Sequence, residues 1–489
     1  MDKSTTLKDI LIPNQITTLL TLLHENNYEA YLVGGCIRDI LLHKQPKDWD
    51  ITTNANPEQI QVLFPDSFYE NDYGTVGVKT EIGVIEVTPF RKEGLYSDGR
   101  RPDSIEFTND IILDLSRRDF TINAIAYNPL QDTLVDPFNG VGDIKNKMIK
   151  CVGEADTRFS EDGLRIMRML RFVAQLDFSI ESETLVSAMN NRNILEKIAK
   201  ERIKDEFCKI LMSSGAIKAF IYMSKIDVLQ YITPHLKDSV NVTQNGMHAY
   251  DVFEHLIRSM QCAVDKNYPL EIRIAALFHD IGKPSTRLYS KDKHDYTFYN
   301  HEVVGTKMTK KILNDLKFSH ETIEKVTKLV RWHMFFSDTE QITHSAVRRM
   351  IANVGRENIW DLINLRICDR VGTGRPKEDP YRLRKYMSMI EEVMSDATDV
   401  SMLKIGGKEL IEVFHMTPSP QIGKILNILL DKCIEKPELN SKNSLLHLSE
   451  ELLTLKESEL EELSKAAVLH AKHDQDERVG KIKSKYRVR

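Results

Sequence analysis

The chain has little of what marks a secreted or membrane-spanning protein. Nowhere in its 489 residues is there an uninterrupted apolar run of about 18 residues, the length that a membrane-spanning helix needs. The N-terminal segment has no basic stretch followed by an apolar one. Six cysteines are scattered without a CxxC pair, so a dense disulfide framework is excluded. We therefore expect a cytoplasmic protein with reduced thiols and no membrane contact.

A large excess of charge of one sign is also missing. The net charge is only −5, so the chain as a whole lacks the basic character of many nucleic-acid-binding proteins. Any RNA site must then be a local basic patch. The last residues, 478–489, are one candidate, and they follow an acidic, leucine-rich helical pattern from Leu448 to Leu463. The simpler interpretation of this segment is a solvated, mobile tail.

The length and the patterning indicate several folded units of two kinds. At about 150 residues per domain, the chain predicts three or four units. Its 41% hydrophobic and 28% charged residues are typical of a globular protein. Short β-like runs alternate with helical stretches in the first 150 residues, which indicates an α/β unit. From about Ser160 onward, apolar spacings of three and four predict helices almost to the C-terminus.

The segment Tyr31–Leu42 (YLVGGCIRDILL) predicts a strand, a glycine turn and the start of a helix. Such a turn directs backbone N–H groups and Arg38 at an anion, and Gly34 and Gly35 allow a triphosphate to approach the backbone. A glycine pair at this place is, by itself, more often a tight turn.

Three carboxylates follow. In KDWDITT, Asp48 and Asp50 would project from one face of a strand, at a spacing that suits a shared Mg²⁺ ion. Two exposed aspartates at a strand end are the more common origin of such a pair. Glu86 stands centrally in the apolar strand pattern VIEVTPF, where an unpaired buried charge is costly, so we expect a metal nearby.

Taken together, the ordered motifs GGCIRD, DWD, RRDFTINAIAYNP, DPFNG and RFSEDGLRIMRMLRF resemble those of class II tRNA nucleotidyltransferases and bacterial poly(A) polymerases. The resemblance is strong over residues 30 to 175. It implies an α+β protein, with an N-terminal polymerase-β-like nucleotidyltransferase head followed by a mostly α-helical body. It also implies that Asp48 and Asp50 hold Mg²⁺ and that the nucleotide is bound by Gly35, Arg38, Arg118, Asp119 and Asn123. Together with Glu86, which the strand pattern adds, Asp48 and Asp50 are the expected catalytic residues.

The segment SEDGLRIMRMLRF adds a means of selecting the base. Asp162, Arg165, Arg168 and Arg171 recur every three residues, so we expect them along one helical face. Cytosine and adenine both present an amino donor beside a ring-nitrogen acceptor, which a carboxylate and a guanidinium can read. We expect Asp162 and Arg165 to select CTP and ATP in this way, with Arg168 and Arg171 extending toward phosphates. A solvated or salt-bridged helix face is the ordinary alternative.

The segment of residues 90–107 is charged and contains glycines. It resembles the flexible loop of relatives that add the terminal A, and relatives that add only CC typically lack it. Its presence favours CCA addition or A addition over CC addition.

A second set of motifs, VFEHLIRS, ALFHDIGKP, YNHEVVG, LVRWHMFF and LRICDRVG, resembles the HD superfamily of metal-dependent phosphohydrolases. Imidazole and carboxylate ligands would come together from separate helices. The predicted ligands of this HD site are His255, His279, Asp280 and Asp369 for one metal, with His301 and His333 for a second position. Mn²⁺, Fe²⁺, Co²⁺, Ni²⁺ or Mg²⁺ would fit such a site, and Lys283 is placed to steady a phosphate.

Four domains are therefore predicted: a nucleotidyltransferase head (1–150), a helical neck for base recognition and RNA binding (151–240), an HD domain (241–375) and a helical C-terminal body with a tRNA contact (376–489). The leading hypothesis is addition of CCA to tRNA from CTP and ATP, with no obligatory protein partner. A-only addition and poly(A) synthesis remain open. A protein acting mainly as an HD phosphohydrolase on nucleotides or RNA 2′,3′-cyclic phosphate ends is the alternative of another class, and a non-catalytic RNA-binding module ranks last.

Overall fold

The structure is a computed structural model that describes residues 11–69, 73–94, 96, 103–246, 249–335, 342–374, 378–395 and 403–488. It divides into two compact units. The first contains residues 1–331 and 368–374, and the second contains residues 332–367 and 375–489. The loop predicted at residues 90–107 lies partly outside the described residues.

The head is built on a seven-stranded sheet of order β3-β4-β5-β2-β1-β8-β9. Strands β2 and β5 are parallel, and the other neighbours in the sheet are antiparallel. A separate antiparallel pair, β6 and β7, follows β5. The strands are β1 (Ala30–Val33), β2 (Asp50–Thr53), β3 (Ser67–Tyr69), β4 (Val76–Thr80), β5 (Gly83–Pro89), β6 (Arg91–Glu93), β7 (Ile105–Phe107), β8 (Ala126–Asn128) and β9 (Thr133–Val135).

Five short helices accompany this sheet. Helix α3 illustrates why they begin where they do: Pro57 occupies its first turn, and Asn56 and Gln59 exchange side-chain to backbone hydrogen bonds in a capping box. The helices are α1 (Asn14–Glu25), α2 (Gly35–Leu41), α3 (Pro57–Leu63), α4 (Ile111–Ser116) and α5 (Gly140–Lys145), and a 3₁₀ turn spans Thr121–Asn123. The strand, glycine turn and helix predicted for residues 31–42 are thus confirmed.

Residues 148–238 form the helical region after the head. Its central helix, α7 (Leu164–Leu176), is amphipathic, and its apolar residues Met167, Leu170 and Phe172 are all buried. The elements are β10 (Met148–Ile149), α6 (Ala155–Glu161), α7 (Leu164–Leu176), β11 (Ser179–Ile180), α8 (Ser182–Asn190), α9 (Lys200–Leu211), α10 (Ala216–Lys225), α11 (Leu229–Ile232) and α12 (Pro234–Asp238).

The next region is almost entirely helical, with one small hairpin. Its elements are α13 (Val252–Asp265), α14 (Leu270–Phe278), α15 (Lys283–Thr286), β12 (Leu288–Ser290), β13 (Asp295–Thr297), α16 (His301–Asp315), α17 (His320–Trp332), α18 (His344–Val354) and α19 (Ile359–Gly372). The predicted fold class, an α/β head followed by a mostly helical body, is confirmed.

The second unit contains α18 and a further set of helices: α20 (Tyr381–Ser395), α21 (Gly407–Phe414), α22 (Pro420–Glu435), α23 (Lys442–Leu453) and α24 (Glu457–Tyr486). The apolar sides of α21, α22, α23 and α24 share a core that includes Leu410, Ile425, Leu429, Leu445 and Leu460.

The interpretation of the C-terminus as a mobile tail is wrong. Helix α24 continues to Tyr486, and the leucine-rich pattern is divided between α23 and α24. The Lys485 ammonium lies 2.8 Å from a Glu391 carboxylate oxygen, and the Tyr486 hydroxyl donates to the same carboxylate at 2.6 Å. Arg384 donates to the Tyr486 carbonyl at 2.8 Å. These contacts with α20 hold the basic end of the chain, and they pair one of its lysines with an internal acid.

Among the described residues, no helix combines the length and the low polarity that crossing a bilayer requires.

Candidate active site and HD metal centre

The turn between β1 and α2 forms one wall of the first site. Gly34 has φ +79°, and a Cβ atom there would lie 3.3 Å from Nη1 of Arg118 and 3.7 Å from Oδ2 of Asp50. Gly35 begins helix α2. Glycine at position 34 is therefore required both by the backbone conformation and by the close approach of two predicted site residues.

The carboxylates lie together, although not all in the way we expected. Asp50 begins β2 and pairs in register with Glu86 of β5, whereas exposed Asp48 lies in the bend before the strand. The prediction that both aspartates stand in a strand is thus wrong for Asp48. Burial raises the pKa of Asp50, and the neighbouring Asp48 raises it further, while Arg118 opposes both. A divalent cation would relieve this repulsion.

The expectation that Glu86 is a buried charge is wrong. Its side chain is exposed, between buried Ile85 and Val87. The strand pattern looked apolar throughout, but the face that carries Glu86 is turned toward the cavity of the site, where water reaches the carboxylate.

Arg38 and Asn123 are joined in one hydrogen-bond network with Asp119. Arg38 donates to the Asn123 side-chain oxygen at 2.8 Å, and the Asn123 amide donates to Asp119 at 3.2 Å. The other oxygen of Asp119 lies 2.6 Å from Nη2 of Arg168. Burial alone would raise the pKa of Asp119, but Arg168 and Asn123 lower it to about 2. Asp119 is therefore an ionised anchor that fixes these side chains.

Arg117 and Arg118 are both held by Asp114, a fully buried carboxylate. The distances are 2.7 Å to Arg117 and 3.3 Å to Arg118. Arg117 also lies 3.1 Å from Glu93 of β6. Both arginines are thus partly buried and held in place by acids, and they do not form an exposed charge cluster.

Asp162 and Arg165 lie beside each other, but only Arg165 is helical. Asp162 has extended backbone between α6 and α7, and it accepts from the Leu164 N–H at 3.0 Å. The single helical face predicted for the whole segment is therefore wrong at its first member. Gly163 follows in the chain, and a Cβ atom there would lie 2.4 Å from Ile194, so glycine allows the close packing of this segment against Ile194.

Arg165 is buried and firmly held. It donates to Glu161 at 2.5 Å and to the carbonyls of Arg158 at 3.0 Å and Arg117 at 3.1 Å. A guanidinium fixed in this way presents its remaining N–H groups in one orientation.

Arg168 and Arg171 flank the ring of Phe172, at 5.9 Å and 4.6 Å from its centre. Arg171 is paired with Glu206 of α9 at 3.2 Å. Both cations are thus partly neutralised by protein acids, and they remain at the wall of the site.

One cavity of about 1070 Å³ lies between these elements, large enough for a nucleotide together with part of a second substrate. It brings together every head and neck residue that was predicted from the sequence. They are Gly35, Arg38, Asp48, Asp50, Glu86, Arg118, Asp119, Asn123, Asp162, Arg165, Arg168 and Arg171.

The second site is a compact cluster of four buried ligands. Its members are His255 of α13, His279 and Asp280 just after α14, and Asp369 of α19, and one candidate ligand atom from each lies within 4.8 Å of the others. The Nε2 atoms of the two histidines are 3.0 Å apart. The Asp280 carboxylate is 3.1 Å from His255, and the Asp369 carboxylate is 3.4 Å from it.

The donor set of this cluster fits a divalent cation. His279 Nδ1 lies 2.8 Å from the Ala276 carbonyl and donates to it, which leaves a lone pair on Nε2. That lone pair faces His255 and two carboxylates, an arrangement that is repulsive unless a positive charge lies between them. Burial alone would lower the pKa of His279, but Asp280 and Asp369 raise it to about 10. The cluster thus attracts positive charge.

His301 lies next to this cluster, with Nε2 3.1 Å from the other oxygen of Asp280. His333 is buried directly after α17, in the second unit. The structure gives Lys283 a different position from the one expected: its buried ammonium lies 2.6 Å from Asp280 and 2.6 Å from the Gln244 side-chain oxygen. It holds a ligand rather than standing open to a phosphate.

Family models match this chain in three places. A "Poly A polymerase head domain" covers residues 30–150, a "Probable RNA and SrmB- binding site of polymerase A" covers 177–239, and an "HD domain" covers 252–371. A CCA-adding enzyme of Lactococcus lactis is 33% identical over 435 residues, which is 88% of this chain and 95% of that protein. The chain belongs to the family of CCA-adding enzymes. It is by family a nucleotidyltransferase, as the motifs implied.

Other CCA-adding enzymes match over different lengths. That of Lactobacillus delbrueckii subsp. bulgaricus is 45% identical over 207 residues, so the chain spans about half of that relative, 52%. The solved structure of the Bacillus stearothermophilus CCA-adding enzyme in complex with CTP has a TM-score of 0.58 at 24% identity, over 91% of this chain and 99% of that one. This likeness shows the fold that the two CCA-adding enzymes share.

Several residues in or next to this cavity were missed from the sequence. Asp114 could have been found, since it stands three and four positions before the two arginines that it pairs with in the same segment. Glu93, Arg202 and Lys209 carry no local signal that relates them to the motifs. They line the cavity because β6 and α9 lie beside it.

Proposed function

We propose that this chain adds C, C and A to the 3′ end of tRNA, using CTP and ATP and releasing pyrophosphate. The observation that carries the proposal is the meeting, in one cavity, of the carboxylates Asp48 and Asp50 with the pair Asp162 and Arg165. The first pair suits phosphoryl transfer, and the second suits recognition of the base. The cavity therefore offers chemistry and selection without a template.

The reaction has the tRNA 3′-hydroxyl attack the α-phosphate, with pyrophosphate leaving. Asp48 and Asp50 would hold Mg²⁺, which when bound neutralises phosphate charge and favours the ionised form of the hydroxyl. Gly34 and Gly35 leave the backbone open to the triphosphate, and Arg38 and Arg118 offer cations to its oxygens. Glu86 stands in register with Asp50.

Asp162 accepts a hydrogen bond from the amino group shared by cytosine and adenine, and Arg165 donates to the adjacent ring nitrogen. Uracil and guanine place a carbonyl where Asp162 needs a donor. Arg168 and Arg171, paired with Asp119 and Glu206, keep the ring of Phe172 and the cavity wall in place. The order of additions would then follow from the growing RNA end.

The test uses tRNAs that end before CCA and after CC, with purified protein, Mg²⁺ and single labelled nucleotides followed by mixtures. Addition of two C and one A, then a stop, supports the proposal, and Asp48→Ala must abolish it. Addition of A alone to the CC-ended tRNA means an A-adding enzyme, and a long A tail means a poly(A) polymerase. Either result overturns CCA addition.

We also propose a second activity, hydrolysis of a phosphate ester at the HD centre. The four-ligand buried cluster favours it, because two imidazoles and two carboxylates that face one another are a typical ligand set for a divalent cation. A divalent transition metal, Mn²⁺, Fe²⁺, Co²⁺ or Ni²⁺, or else Mg²⁺, would be held by His255, His279, Asp280 and Asp369, with His301 beside them. When bound, it would activate water.

Its substrate would be a nucleotide or an RNA end that carries a 2′,3′-cyclic phosphate. The test compares 2′,3′-cyclic AMP, AMP and an RNA with a cyclic phosphate end, each with the candidate metals in turn. Release of phosphate, or opening of the cyclic ester, that is lost in Asp280→Asn supports the proposal. Equal rates in the wild type and in that variant overturn it.

The remaining site and location assignments are also proposals. A cytoplasmic location agrees with all six cysteines being free thiols. The C-terminal helices 403–488 would contact tRNA through their basic residues, among which Lys481 and Lys485 are already paired with acids of the same unit.

A further inference from the structure

Helix α9 carries three charged residues on the side of the nucleotide cavity: Arg202 and Lys209 line the cavity, and buried Glu206 lies between them in the helix. They stand at spacings of four and three, so they share one face of the helix. Glu206 pairs with Arg171 at 3.2 Å and with Lys209 at 3.4 Å, which accounts for both. Arg202 has a different partner, and it is the base-reading carboxylate.

Arg202 fixes Asp162 from the side opposite to the main chain. Its Nη2 donates to Oδ2 of Asp162 at 3.1 Å, while the Leu164 N–H donates to Oδ1 at 3.0 Å. Asp162 lies in extended backbone, so no helical turn restricts its side chain. Two donors, one on each oxygen, together define the plane in which the carboxylate lies.

The partners of Arg202 differ from those of Arg165, the other guanidinium at this point. Arg165 donates to Glu161 and to two backbone carbonyls. Among the described residues, Arg202 donates to Asp162 through Nη2. The Nη1 atom of Arg202 is buried and has no hydrogen-bond acceptor among these residues. An arginine placed for packing alone would be expected to satisfy its buried nitrogens, as Arg165 does with three acceptors.

We propose that Arg202 is a positioning residue that sets base selectivity by orienting Asp162. This inference rests on the proposed reading of the base by Asp162 and Arg165. The cation keeps the carboxylate aligned, so that it accepts from an amino group and repels a carbonyl oxygen. Without the cation, the carboxylate is free to turn away, and the penalty against uracil and guanine falls.

The removal of Asp162 has a distinct consequence in this account. With the carboxylate gone, the guanidinium of Arg202 loses its acceptor and becomes available to a carbonyl oxygen of the base. Asp162→Ala should therefore accept UTP better, relative to CTP, than the double variant Asp162→Ala with Arg202→Ala. If Arg202 only stabilised α9, the single and the double variant would accept UTP equally well relative to CTP.

The experiment measures kcat and KM separately for single additions of CTP, ATP and UTP to a tRNA that lacks CCA, with the melting temperature of each variant. The variants are Arg202→Gln, Arg202→Lys and Asp162→Asn. Arg192→Gln is the matched control. Arg192 also has a buried Nε without an acceptor among the described residues, and it lies 3.7 Å from the Asp227 carboxylate. Unlike Arg202, it does not border the cavity.

We expect Arg202→Gln to lower the preference for CTP over UTP by about 10-fold to 100-fold, the scale of one charge-assisted hydrogen bond. The change should fall mainly on KM, with part of it restored in Arg202→Lys and none of it seen in Arg192→Gln. If both Arg202 variants keep the preference for CTP over UTP while Asp162→Asn loses it, the proposed role of Arg202 is overturned and the base-reading proposal stands. Preference that survives in Asp162→Asn overturns the base-reading proposal on which it rests.

Discussion

The two candidate metal centres of this chain differ in how much of the ligand set the protein itself supplies. At the nucleotide cavity, Asp48 is exposed and Asp50 only half-buried, and both stand beside open space. In the HD cluster, His255 and His279 are fully inaccessible and four ligands already face one another. The first arrangement suits a hard ion that takes substrate phosphates as further ligands, and the second suits a resident ion.

The charges around the two centres differ as well. The nucleotide cavity is surrounded by arginines that are each held by an acid, such as Arg118 by Asp114 and Arg168 by Asp119. At the HD cluster, the buried Lys283 ammonium is paired with Asp280, one of the predicted ligands. A cavity lined by oriented cations is built for a highly charged substrate, whereas the HD centre relies on its metal.

The largest effect is expected at the open centre. Asp50→Asn should lower nucleotide addition on the order of 1000-fold or more, since it removes a ligand that the substrate cannot replace. Incorporation of labelled CTP into a tRNA that lacks CCA measures it. Asp66→Asn is the control, because Asp66 is an exposed head carboxylate paired with Lys79 at 3.3 Å. Retention of a tenth of the activity in Asp50→Asn would contradict the assignment.

The next effect concerns the closed centre. His279→Ala should weaken metal binding by at least about 100-fold, because it removes one of four protein ligands from a preformed site. Metal content after dialysis against a weak chelator measures this, with exposed His320→Ala as the control. If His279→Ala retained metal as well as the control, the cluster would not be a metal centre.

The third prediction tests the ionised anchor of the cavity. The pKa of Asp119 is about 2 in the folded chain, against 3.8 for an ordinary aspartate. Because the folded pKa is the lower one, its contribution to the free energy of unfolding is present above pH 3.8 and is lost as the pH falls to about 2. That contribution is about 2 kcal/mol at neutral pH.

Asp119→Asn should therefore be less stable than the wild type at pH 7, and the difference should shrink as the pH falls toward 3. Urea unfolding at a series of pH values measures it. If the difference in the free energy of unfolding stayed constant with pH, the charge of Asp119 and its pairing with Arg168 would not contribute to stability.

The smallest effect is expected at the glycine turn. Gly34→Ala places a side chain on a backbone with φ +79° and 3.3 Å from Arg118, and Gly153→Ala makes a similar change at φ +64° with nothing within 4 Å. Each should cost about 1 kcal/mol of stability through backbone strain. Only Gly34→Ala should also raise the KM for CTP, by a few-fold. Equal KM values for CTP in the two variants would contradict a role of the Gly34 turn in nucleotide binding.

The residues that lie together at each candidate site could be predicted from the sequence because they stand in short motifs. The turn at Gly34 and the pair at His279 and Asp280 are each encoded within a few residues, where local geometry follows from strand and helix periods. The same reasoning failed where the chain bends. Asp162 lies outside the helical face predicted for it, because Gly163 separates two helices at that point.

Burial and long-range partners could not be predicted in this way. Glu86 looked buried because its neighbours are apolar, yet its strand turns one face to the cavity. Arg202 is 40 residues from Asp162 in the chain, and nothing in the pattern of α9 relates it to the base-reading segment. Such pairs depend on how helices pack, which periodicity alone does not determine.

The central claim is that two separate centres carry two chemistries, with nucleotide addition at Asp48 and Asp50. The most direct test assays Asp50→Asn and Asp280→Asn side by side, each for CCA addition to tRNA and for metal-dependent hydrolysis of a 2′,3′-cyclic phosphate. The account predicts a crossover, in which each folded variant loses one activity and keeps the other. If Asp280→Asn lost CCA addition while remaining folded, or Asp50→Asn kept it, the account would be contradicted.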